Sequence, residues 1–424
     1  MTISFPYRDV EPLYIPDDHR CRLFELPNTP KRRETVKVAQ DALEKPYQSL
    51  RLRELAKDKK RVLIVTDDNT RPTPVRELVP LLLHELSEAG IRPADVEFIL
   101  SLGTHRPMTA EEIADKLGRD IARNHPIHNH LWSDAASLEC LGTTAQGVPI
   151  WVNKILRRFD LIVGVGSIMP IDVCGFSGGG KIVVPGLCGE QTVDQMHWER
   201  VNTPTELVLG KADNPIRAAI DDMARKAGLD FILNVVQNVH DEVVGAFAGD
   251  MIAAHRAGCK LAREVYGVRF QQEFDIVVAD SHPFDIEFWQ ANKALDTAGE
   301  VVSRGGAIIL VTPCYEGLSQ THESQIKEFG YPPIQTIKKL VEQGLIRNKV
   351  VGVHMYQVSR AVVEKARLIL VTSGLDRSTV ERFGFHWAEN PGSALQLAIK
   401  LVGRRPSIAV LRGAARMLAI KEGY

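Results

Sequence analysis

Short apolar runs recur along the whole chain and alternate with amphipathic stretches. The runs are rich in β-branched residues and apolar on both faces, which is typical of buried parallel strands; they cover 61–66, 96–102, 159–166, 231–239, 274–281, 306–312, 349–355, 367–373 and 407–413. The stretches 74–90 and 248–267 have the spacing of amphipathic helices. This alternation predicts an α/β fold in which helices cover mostly parallel sheets.

The spacing of these elements changes near residue 270. Beyond it, strands and helices are predicted at regular intervals through residue 413, whereas 103–230 is rich in loops. We therefore predict two α/β domains, residues 1–270 and 271–424, flanking a cleft, with the last helix packing back on the first domain. A cleft between two such domains favours a small ligand.

Length and charge narrow the class of partner. A chain of 424 residues can bury a large core. Its 52 Lys and Arg residues balance 53 Asp and Glu residues, a formal net charge of −1. The chain therefore has no long-range field to attract nucleic acid or an acidic membrane. A small molecule is the expected partner, and the sequence leaves the oligomeric state open.

Cysteine use and hydropathy predict the compartment. The six cysteines are scattered without a C-x-x-C pair, as expected of free thiols in a reducing environment. No run approaches the roughly 20 apolar residues of a membrane span, and no basic segment followed by an apolar one stands at the N-terminus. We therefore expect a cytoplasmic protein with no membrane partner.

Residues 175–181 read G-F-S-G-G-G-K, which follows the G-x-x-x-x-G-K pattern of nucleotide phosphate loops. A phosphate loop also needs a strand directly before it, a helix after it, and Ser or Thr behind the lysine. Here Ile182 follows Lys181, and the next residues, V-V-P-G, do not open a regular helix. The triphosphate interpretation therefore fails. The glycines either let another ligand approach the backbone closely or form a tight structural turn.

A polar segment, T-D-D-N-T-R-P-T-P, follows the predicted strand 61–66. It should lie at the carboxyl end of that strand, where open α/β sheets bind ligands. Arg71 has the fork of donors that suits a carboxylate or a phosphate. Alternatively, Asp68 and Thr70 only form a turn and cap the helix that follows Pro74.

The segment 101–112, S-L-G-T-H-R-P-M-T-A-E-E, repeats this arrangement after the next strand. His105 lies between the strand end and a helix start, which Thr109 and Glu112 mark as a capping box. A neutral histidine in this position is a candidate for proton transfer. The alternative is a histidine that only bonds the local backbone.

Other histidines divide into a cluster and a single residue. His125, His128 and His130 are close in sequence, but no acidic or cysteine ligand is spaced with them on one helical face. We expect them to form a solvated or core-bridging loop rather than a metal site. His197 lies 16 residues after Lys181 in an amphipathic stretch and is either a ligand or a packed core residue.

In the second predicted domain, residues 281–301 begin at a strand end and continue as a helix. Gln290 and Lys293 are neighbours on this helix at spacing i, i+3, so both can face a ligand. The alternative is that Lys293 is an ordinary solvated lysine.

Five segments, D-D-N-T-R-P-T-P, G-T-H-R-P-M-T, G-F-S-G-G-G-K, H-W-E and W-Q-A-N-K-A-L-D-T-A, occur in this order over most of the chain. In order and separation they closely resemble the nickel-dependent lactate racemase family. The resemblance implies an isomerase that racemises or epimerises 2-hydroxy acids, with the cofactor bound by the first domain. The implied cofactor is a nickel-pincer nucleotide, a pyridinium-3-thioamide-5-thiocarboxylate mononucleotide, supplied by cofactor maturation enzymes.

Carried over by motif, Lys181 tethers this cofactor covalently through a thioamide bond, and His197 is the nickel ligand. The other cofactor contacts implied by the resemblance are Asp68, Thr70, Ser177, Gly178 and Gly179. An imidazole suits nickel, and the sulfur donors belong to the cofactor, so the chain needs no cysteine cluster.

The resemblance also assigns the substrate-binding residues. Arg71 and Lys293 would hold the carboxylate of the 2-hydroxy acid, with Gln290 as a neighbouring polar contact. His105 would take the hydroxyl proton as hydride leaves Cα for the cofactor.

One position departs from the family pattern. The family places a second catalytic histidine ten residues before the tethering lysine, where this chain has Ile171. We therefore predict a substrate other than lactate and a different second base, for which Asp172, His282 and His354 are candidates. The alternatives are a dehydrogenase or dehydratase that uses one face of the substrate, or a non-catalytic homologue that binds a small ligand.

Overall fold

The computed structural model describes residues 1–31, 33–145, 147–403 and 405–422, which form the predicted α/β architecture with mostly parallel main sheets. Within these residues, strands β1 to β20 are, in chain order, Thr2–Ile3, Leu13–Tyr14, Arg20–Glu25, Val62–Asp67, Val96–Ser101, Ile127–Asn129, Leu138–Thr143, Pro149–Asn153, Leu161–Ser167, Pro170–Ile171, Gly175–Phe176, Phe231–Gln237, Val243–Gly249, Gly267–Phe270, Phe274–Asp280, Val302–Val311, Arg367–Val371, His386–Ala388, Ser407–Arg412 and Leu418–Lys421.

The α-helices of the same residues cover the two main sheets. Helices α1 to α15 are, in chain order, Thr35–Glu44, Leu52–Leu55, Val75–Glu88, Ala110–Leu117, Arg119–Asn124, Glu190–Asn202, Pro215–Lys226, Ala253–Tyr266, Phe288–Ala291, Lys293–Val301, Glu323–Phe329, Ile334–Glu342, Lys349–Val362, Arg377–Arg382 and Pro391–Val402. No helix in the described part of the chain is long and apolar enough to cross a bilayer. All six cysteines are described, and each is a free thiol.

The chain divides into two compact units. The central unit is Asn28–Val265, and the terminal unit combines Met1–Pro27 with the residues from Tyr266 onward. The predicted boundary at residue 270 is close to the division between Val265 and Tyr266. Residues 1–27 were predicted to belong to the first domain, but they belong to the terminal unit. Strand β3 pairs in parallel with β19, with Cys21 opposite Ile408, so the N-terminal segment completes the second sheet.

The central unit is built on the six-stranded sheet β13-β12-β9-β4-β5-β6. Its strands run parallel except β13, which pairs antiparallel with β12. From β4 the chain proceeds outward to β5 and β6, whereas from β9 it proceeds to β12 in the opposite direction. The chain order therefore reverses between β4 and β9, and α/β proteins bind ligands beyond the carboxyl ends of strands at such a position.

Apolar side chains on one face of this sheet pack against helices α1 and α3. Val62 and Ile64 of β4 share one buried cluster with Leu78 and Leu82 of α3. Burial of each such side chain stabilises the folded state by roughly 1.5–3 kcal/mol. This packing fixes the strands whose ends carry the polar loops.

The terminal unit contains the parallel sheet β18-β17-β16-β15-β19-β3. Here the strand order reverses around β15, and helices α9 and α10 follow that strand in the chain. The last helix, α15, packs against β16 and β17 of this same sheet; the prediction that it packs back on the first domain stays a prediction. Ala394 and Ala398 bring α15 close to the sheet.

One predicted strand is a helix. The run 349–355 forms the first half of α13, while each of the other predicted strands overlaps an observed one. Val350, Val351, Val353 and Met355 are all buried, because α13 is covered on several sides. A helix buried in this way has no polar face to reveal its period, and its β-branched residues suggest a strand.

Candidate functional site

Asp68 and His105 are joined by a hydrogen bond between the loops that follow β4 and β5. Asp68 Oδ2 lies 2.6 Å from His105 Nδ1. Burial disfavours the charged form of Asp68, but His105, Arg71 and Thr70 outweigh burial and hold the pKa of this carboxyl well below its usual value. A carboxylate only accepts hydrogen bonds, so neutral His105 carries its proton on Nδ1 and presents Nε2 to another partner.

Thr70 and Arg71 form a bonded chain with Asp68. The backbone N–H of Thr70 donates to Asp68 Oδ1 at 3.0 Å, and the Thr70 hydroxyl donates to the same oxygen. Arg71 Nη1 donates to Thr70 Oγ1 at 2.8 Å. The turn proposed as an alternative function for Asp68 and Thr70 is thus present, but no side chain caps α3 at Pro74. The turn therefore fixes the backbone from which the Arg71 side chain extends.

The glycine-rich loop lies between β9 and α6 and contains a short 3₁₀ turn, Gly179–Ile182, rather than a helix opening. Gly178 and Gly179 have φ values of 76° and 59°, which side chains rarely adopt. A Cβ atom on Gly178 would also come within 2.8 Å of Asn234 Oδ1. The glycines are therefore required by the backbone path, whatever ligand the loop binds.

Ser177 is used inside the loop. Its hydroxyl donates to Ser167 O at 2.8 Å and accepts from Met169 N at 3.0 Å, and the residue is buried. These bonds tie the loop to the end of β9. They use the proton and one acceptor position of the hydroxyl that the resemblance assigned to cofactor binding.

Buried polar residues behind the loop were not identified from the sequence. Arg217 Nη1 donates to Gly178 O at 3.1 Å, Asn234 Oδ1 accepts from Gly179 N at 2.8 Å, and His255 Nε2 lies 2.9 Å from Ser177 O. Arg217 and His255 are fully buried. No local motif marks these residues, since each acts on a segment far away in the chain.

Lys181 projects from this loop and is partly exposed. Burial lowers the pKa of its ammonium, and the positive charges of Arg71 and Arg217 lower it further, against the opposite influence of Cys174 and Asp68. Within the described residues, its side-chain nitrogen has no hydrogen-bonded or ion-paired partner. A lysine of this kind has the properties of a reactive amine.

His197 lies on α6 with one ring nitrogen engaged. Its Nδ1 lies 2.7 Å from Val193 O, one turn earlier on the helix. Because a carbonyl oxygen only accepts, Nδ1 carries the proton and Nε2 has a free lone pair. Burial, together with the charges of Lys181 and His105, lowers the pKa of His197 to about 4. The ring is therefore neutral at physiological pH and able to ligate a metal through Nε2.

Gln290 and Lys293 lie together in the terminal unit, at the end of α9 and the start of α10. Lys293 Nζ donates to Gln290 Oε1 and lies 4.3 Å from the centre of the Phe284 ring. The loop from β15 to α9 also carries His282, whose Nδ1 is 3.9 Å from Asp285 Oδ2. These residues follow the central strand of their own sheet, where such sheets bind ligands.

Of the three candidates for the second base, two are bound in structural roles. Asp172 forms a buried bidentate ion pair with Arg200, with distances of 2.8 and 2.9 Å. His354 has Asn292 Nδ2 at 3.1 Å from Nδ1 and the Tyr331 hydroxyl at 3.0 Å from Nε2, and burial lowers its pKa to about 3. His282 is the candidate that is half exposed, and contact with Asp285 raises its pKa.

The three clustered histidines have separate partners. His125 Nδ1 lies 3.0 Å from Val96 O, His128 Nε2 lies 2.8 Å from Glu97 Oε2, and His130 Nε2 lies 2.9 Å from Cys188 O. They connect strands and loops of the central unit. No group of three or more His, Cys, Asp or Glu residues suited to a metal ion occurs in the described ranges.

Comparison with known proteins identifies the family of this chain. The profile of the lactate racemase N-terminal domain matches residues 8–208, and that of the C-terminal domain matches residues 270–418. The chain therefore belongs to the lactate racemase family, and it is an isomerase of the racemase type.

Individual relatives agree with this assignment. The chain is 31% identical over 379 residues to a lactate racemase of Thermoanaerobacterium thermosaccharolyticum, covering 88% of each protein. It is 34% identical over 293 residues to a lactate racemase of Lactiplantibacillus plantarum, covering 68% of each.

Solved structures extend the likeness to the whole chain. The lactate racemase apoprotein from T. thermosaccharolyticum superposes with a TM-score of 0.89 at 29% identity, covering 99% of this chain and 100% of that one. A protein from Thermotoga maritima shares the fold, with a TM-score of 0.73 at 23% identity over 92% of this chain and 98% of that one.

Proposed function

We propose that this protein is a nickel-pincer-dependent racemase or epimerase of a 2-hydroxy acid and acts by hydride transfer at Cα. The observation that carries the proposal is Lys181, an unpartnered amine of lowered pKa in a glycine-lined loop. His197 supports it, since the charge of Lys181 acts on a neutral imidazole whose Nε2 is free. An amine and an imidazole in one site match a cofactor that needs one covalent tether and one metal ligand.

The donor set of the chain fits this cofactor better than a metal ion alone. The described residues offer His197 at the site but no cluster of three ligating side chains. A nickel ion bound there would need its remaining donors from a cofactor, and sulfur and carbon donors suit it. When bound, the nickel-pincer nucleotide supplies a centre that accepts and returns hydride. Cofactor maturation enzymes are therefore the protein partners that we propose.

His105 is the residue that we assign to proton transfer. Asp68 holds its Nδ1 proton, which leaves Nε2 to take the proton of the substrate hydroxyl. The negative charge of Asp68 also stabilises the imidazolium that this transfer forms. As the proton leaves the hydroxyl, the Cα–H bond is weakened toward hydride departure, and a planar 2-oxo acid results.

Arg71, Lys293 and Gln290 are assigned to the substrate carboxylate. Arg71 donates from Nη1 to Thr70, so its remaining N–H groups are available to a carboxylate. Lys293 supplies a second positive charge, and Gln290 binds its ammonium. As the resemblance implies, we propose that Arg71 and Lys293 bind the same substrate carboxylate. Two cations on one carboxylate orient the molecule so that Cα presents a single face at a time.

Ile171 does not support the symmetric two-histidine reaction that the resemblance implies for lactate. Its side chain has no proton to give or take, and Asp172 beside it is bound to Arg200. We therefore propose a hydroxy acid other than lactate. The absence of a histidine at position 171 also supports a second candidate function, a dehydrogenase or dehydratase that uses one face of the substrate.

Intact mass and nickel content test the cofactor first. Protein co-produced with the maturation enzymes should gain the mass of one nucleotide cofactor and carry about one nickel ion per chain. Lys181→Ala should lose both, whereas His197→Ala should keep the added mass and lose nickel. Lys226→Ala, which alters an exposed lysine of α7, is the matched control. An unchanged mass of the co-produced protein would refute the proposal and leave a non-catalytic binding protein as the alternative.

The reaction is tested in D2O with single enantiomers of lactate, malate, mandelate and glycerate. Hydride transfer predicts inversion of one of these acids without deuterium at Cα and without net oxidation. Accumulation of the 2-oxo acid would instead indicate the one-face enzyme. Inversion with deuterium at Cα would indicate proton abstraction and contradict the hydride mechanism.

A further inference from the structure

Helix α4 carries a lysine with a nearly buried side chain, and no sequence motif marks this residue. Lys116 lies in the last turn of α4, and its side chain is only 8% exposed. A lysine is seldom buried to this degree without partners that satisfy its charge. The helix begins directly after the loop of His105, and the Thr109–Glu112 capping box stabilises its first turn. The backbone position of Lys116 is therefore fixed by the helix.

The partners of Lys116 lie in the loop that carries the proposed substrate-binding arginine. Its Nζ lies 2.9 Å from Asp67 Oδ1 and donates to Arg71 O at 2.7 Å. The other oxygen of Asp67 accepts from the Thr73 hydroxyl. One ammonium therefore fixes the end of β4 and the backbone of Arg71, and Asp68 lies between these two points.

A second residue of α4 reaches the same loop one turn earlier. Glu112 Oε1 accepts from Asn69 Nδ2 at 3.0 Å, and both oxygens of Glu112 accept from Arg106, at 2.6 and 2.9 Å. Arg106 follows His105 directly. These contacts are partly exposed and individually weak, so the buried Lys116 contacts should dominate the position of the loop.

We infer that Lys116 is a positioning residue for Arg71: it holds the Arg71 backbone at the place from which the guanidinium reaches the substrate carboxylate. The inference rests on the proposed function of Arg71. Lys116 donates to the carbonyl oxygen of Arg71 and leaves its side chain untouched. It therefore sets where the guanidinium begins, while Thr70 sets its direction through Nη1.

Two single variants and their combination separate positioning from stability. Lys116→Met removes the ammonium and leaves Asp67 buried without its cation. Asp67→Asn removes the charge pair but keeps the bond from Lys116 to Arg71 O. The double variant Lys116→Met/Asp67→Asn leaves no unpaired charge in the interior and still lacks that bond. Thermal stability should therefore fall in each single variant and recover in the double variant.

The effects of the three variants on substrate binding should differ from their effects on thermal stability. In cofactor-loaded protein, KM for the inverted hydroxy acid should rise about tenfold in Lys116→Met and stay raised in the double variant, with a smaller change in kcat. Asp67→Asn should keep KM near the wild-type value. Glu111→Gln, an exposed neighbour on α4, should change neither quantity. A double variant that recovers wild-type KM together with stability would overturn the inference, because Lys116 would then be purely structural.

Amide hydrogen exchange provides a measurement that needs no substrate. Peptides that cover residues 68–73 should exchange faster in Lys116→Met and in the double variant, but not in Asp67→Asn. Wild-type exchange in the double variant would also refute the positioning role. Failure of the proposed function is recognised separately, by an unchanged mass of the co-produced wild-type protein.

Discussion

His105 and Asp68 meet across two neighbouring loops of the central sheet, with Nδ1 and Oδ2 2.6 Å apart. The two residues are far apart in the sequence, but each follows one of two adjacent parallel strands, β4 and β5. Parallel pairing therefore brings both loops to the same edge of the sheet. The Asp68 carboxylate selects the tautomer of His105 that carries its proton on Nδ1. It also orients the ring, so that Nε2 is free to act as a base.

Asp68→Asn should reduce turnover without loss of cofactor. The amide has no charge to stabilise protonated His105 and does not fix its tautomer, so kcat should fall by about 10²-fold. Nickel content and the added mass at Lys181 should stay at wild-type values. Steady-state kinetics with the substrate identified in D2O checks this, with Glu111→Gln as control. A kcat within twofold of wild type would remove Asp68 from the reaction.

The free energy of unfolding of the apoprotein should depend on pH through His197. Its pKa is about 4 in the folded protein and 6.5 for an ordinary histidine, so the unfolded chain binds the proton more readily. His197 therefore contributes stability that is complete above pH 6.5 and is lost as the pH falls toward 4. The size of this contribution is on the order of 3 kcal/mol.

The measurement compares urea unfolding of the wild type and His197→Gln across this pH range. The comparison is needed because burial raises the pKa of Asp280 to about 6, which has the opposite effect on stability. The variant should show a shallower loss of stability below pH 6.5. Parallel curves for the two proteins would contradict the assignment of a neutral, desolvated His197.

Asp172→Ala should destabilise the protein strongly. Arg200 is fully buried and paired with Asp172, so the variant leaves a charged guanidinium without its carboxylate, at a cost of about 3–5 kcal/mol. Glu139→Ala breaks the more exposed pair with Arg157 and should cost less than about 1 kcal/mol. Urea unfolding measures both. A small loss for Asp172→Ala with a changed pH profile of kcat would instead favour Asp172 as the second base.

Much of the architecture follows from local sequence patterns. Apolar runs bounded by polar loops predicted strands such as β4, β5, β9 and β15, because a buried parallel strand needs apolar side chains on both faces. The polar segments after β4 and β5 were assigned to strand ends for the same reason. The capping box at Thr109 and Glu112 is present as predicted, since its bonds span only three residues.

The pattern failed where burial by distant segments decides the structure. Residues 349–355 lie in a helix that other elements cover on several sides, and the run itself does not reveal this coverage. Strand β3 joins the second sheet through pairing with β19, near the other end of the chain. Neither outcome has a local signal.

Within the candidate site, the sequence alone determined which residue types are present: an amine in a glycine loop, a histidine and an arginine after strands, and an isoleucine at position 171. Only the tertiary structure decided their states. It brings Asp68 into a hydrogen bond with His105 and Lys116 into a hydrogen bond with the Arg71 carbonyl. It also engages Asp172 and His354, two of the candidate bases, in buried bonds with Arg200 and Asn292. Residue identity is a property of one position, whereas pKa, tautomer and orientation depend on neighbours that folding brings from elsewhere in the chain.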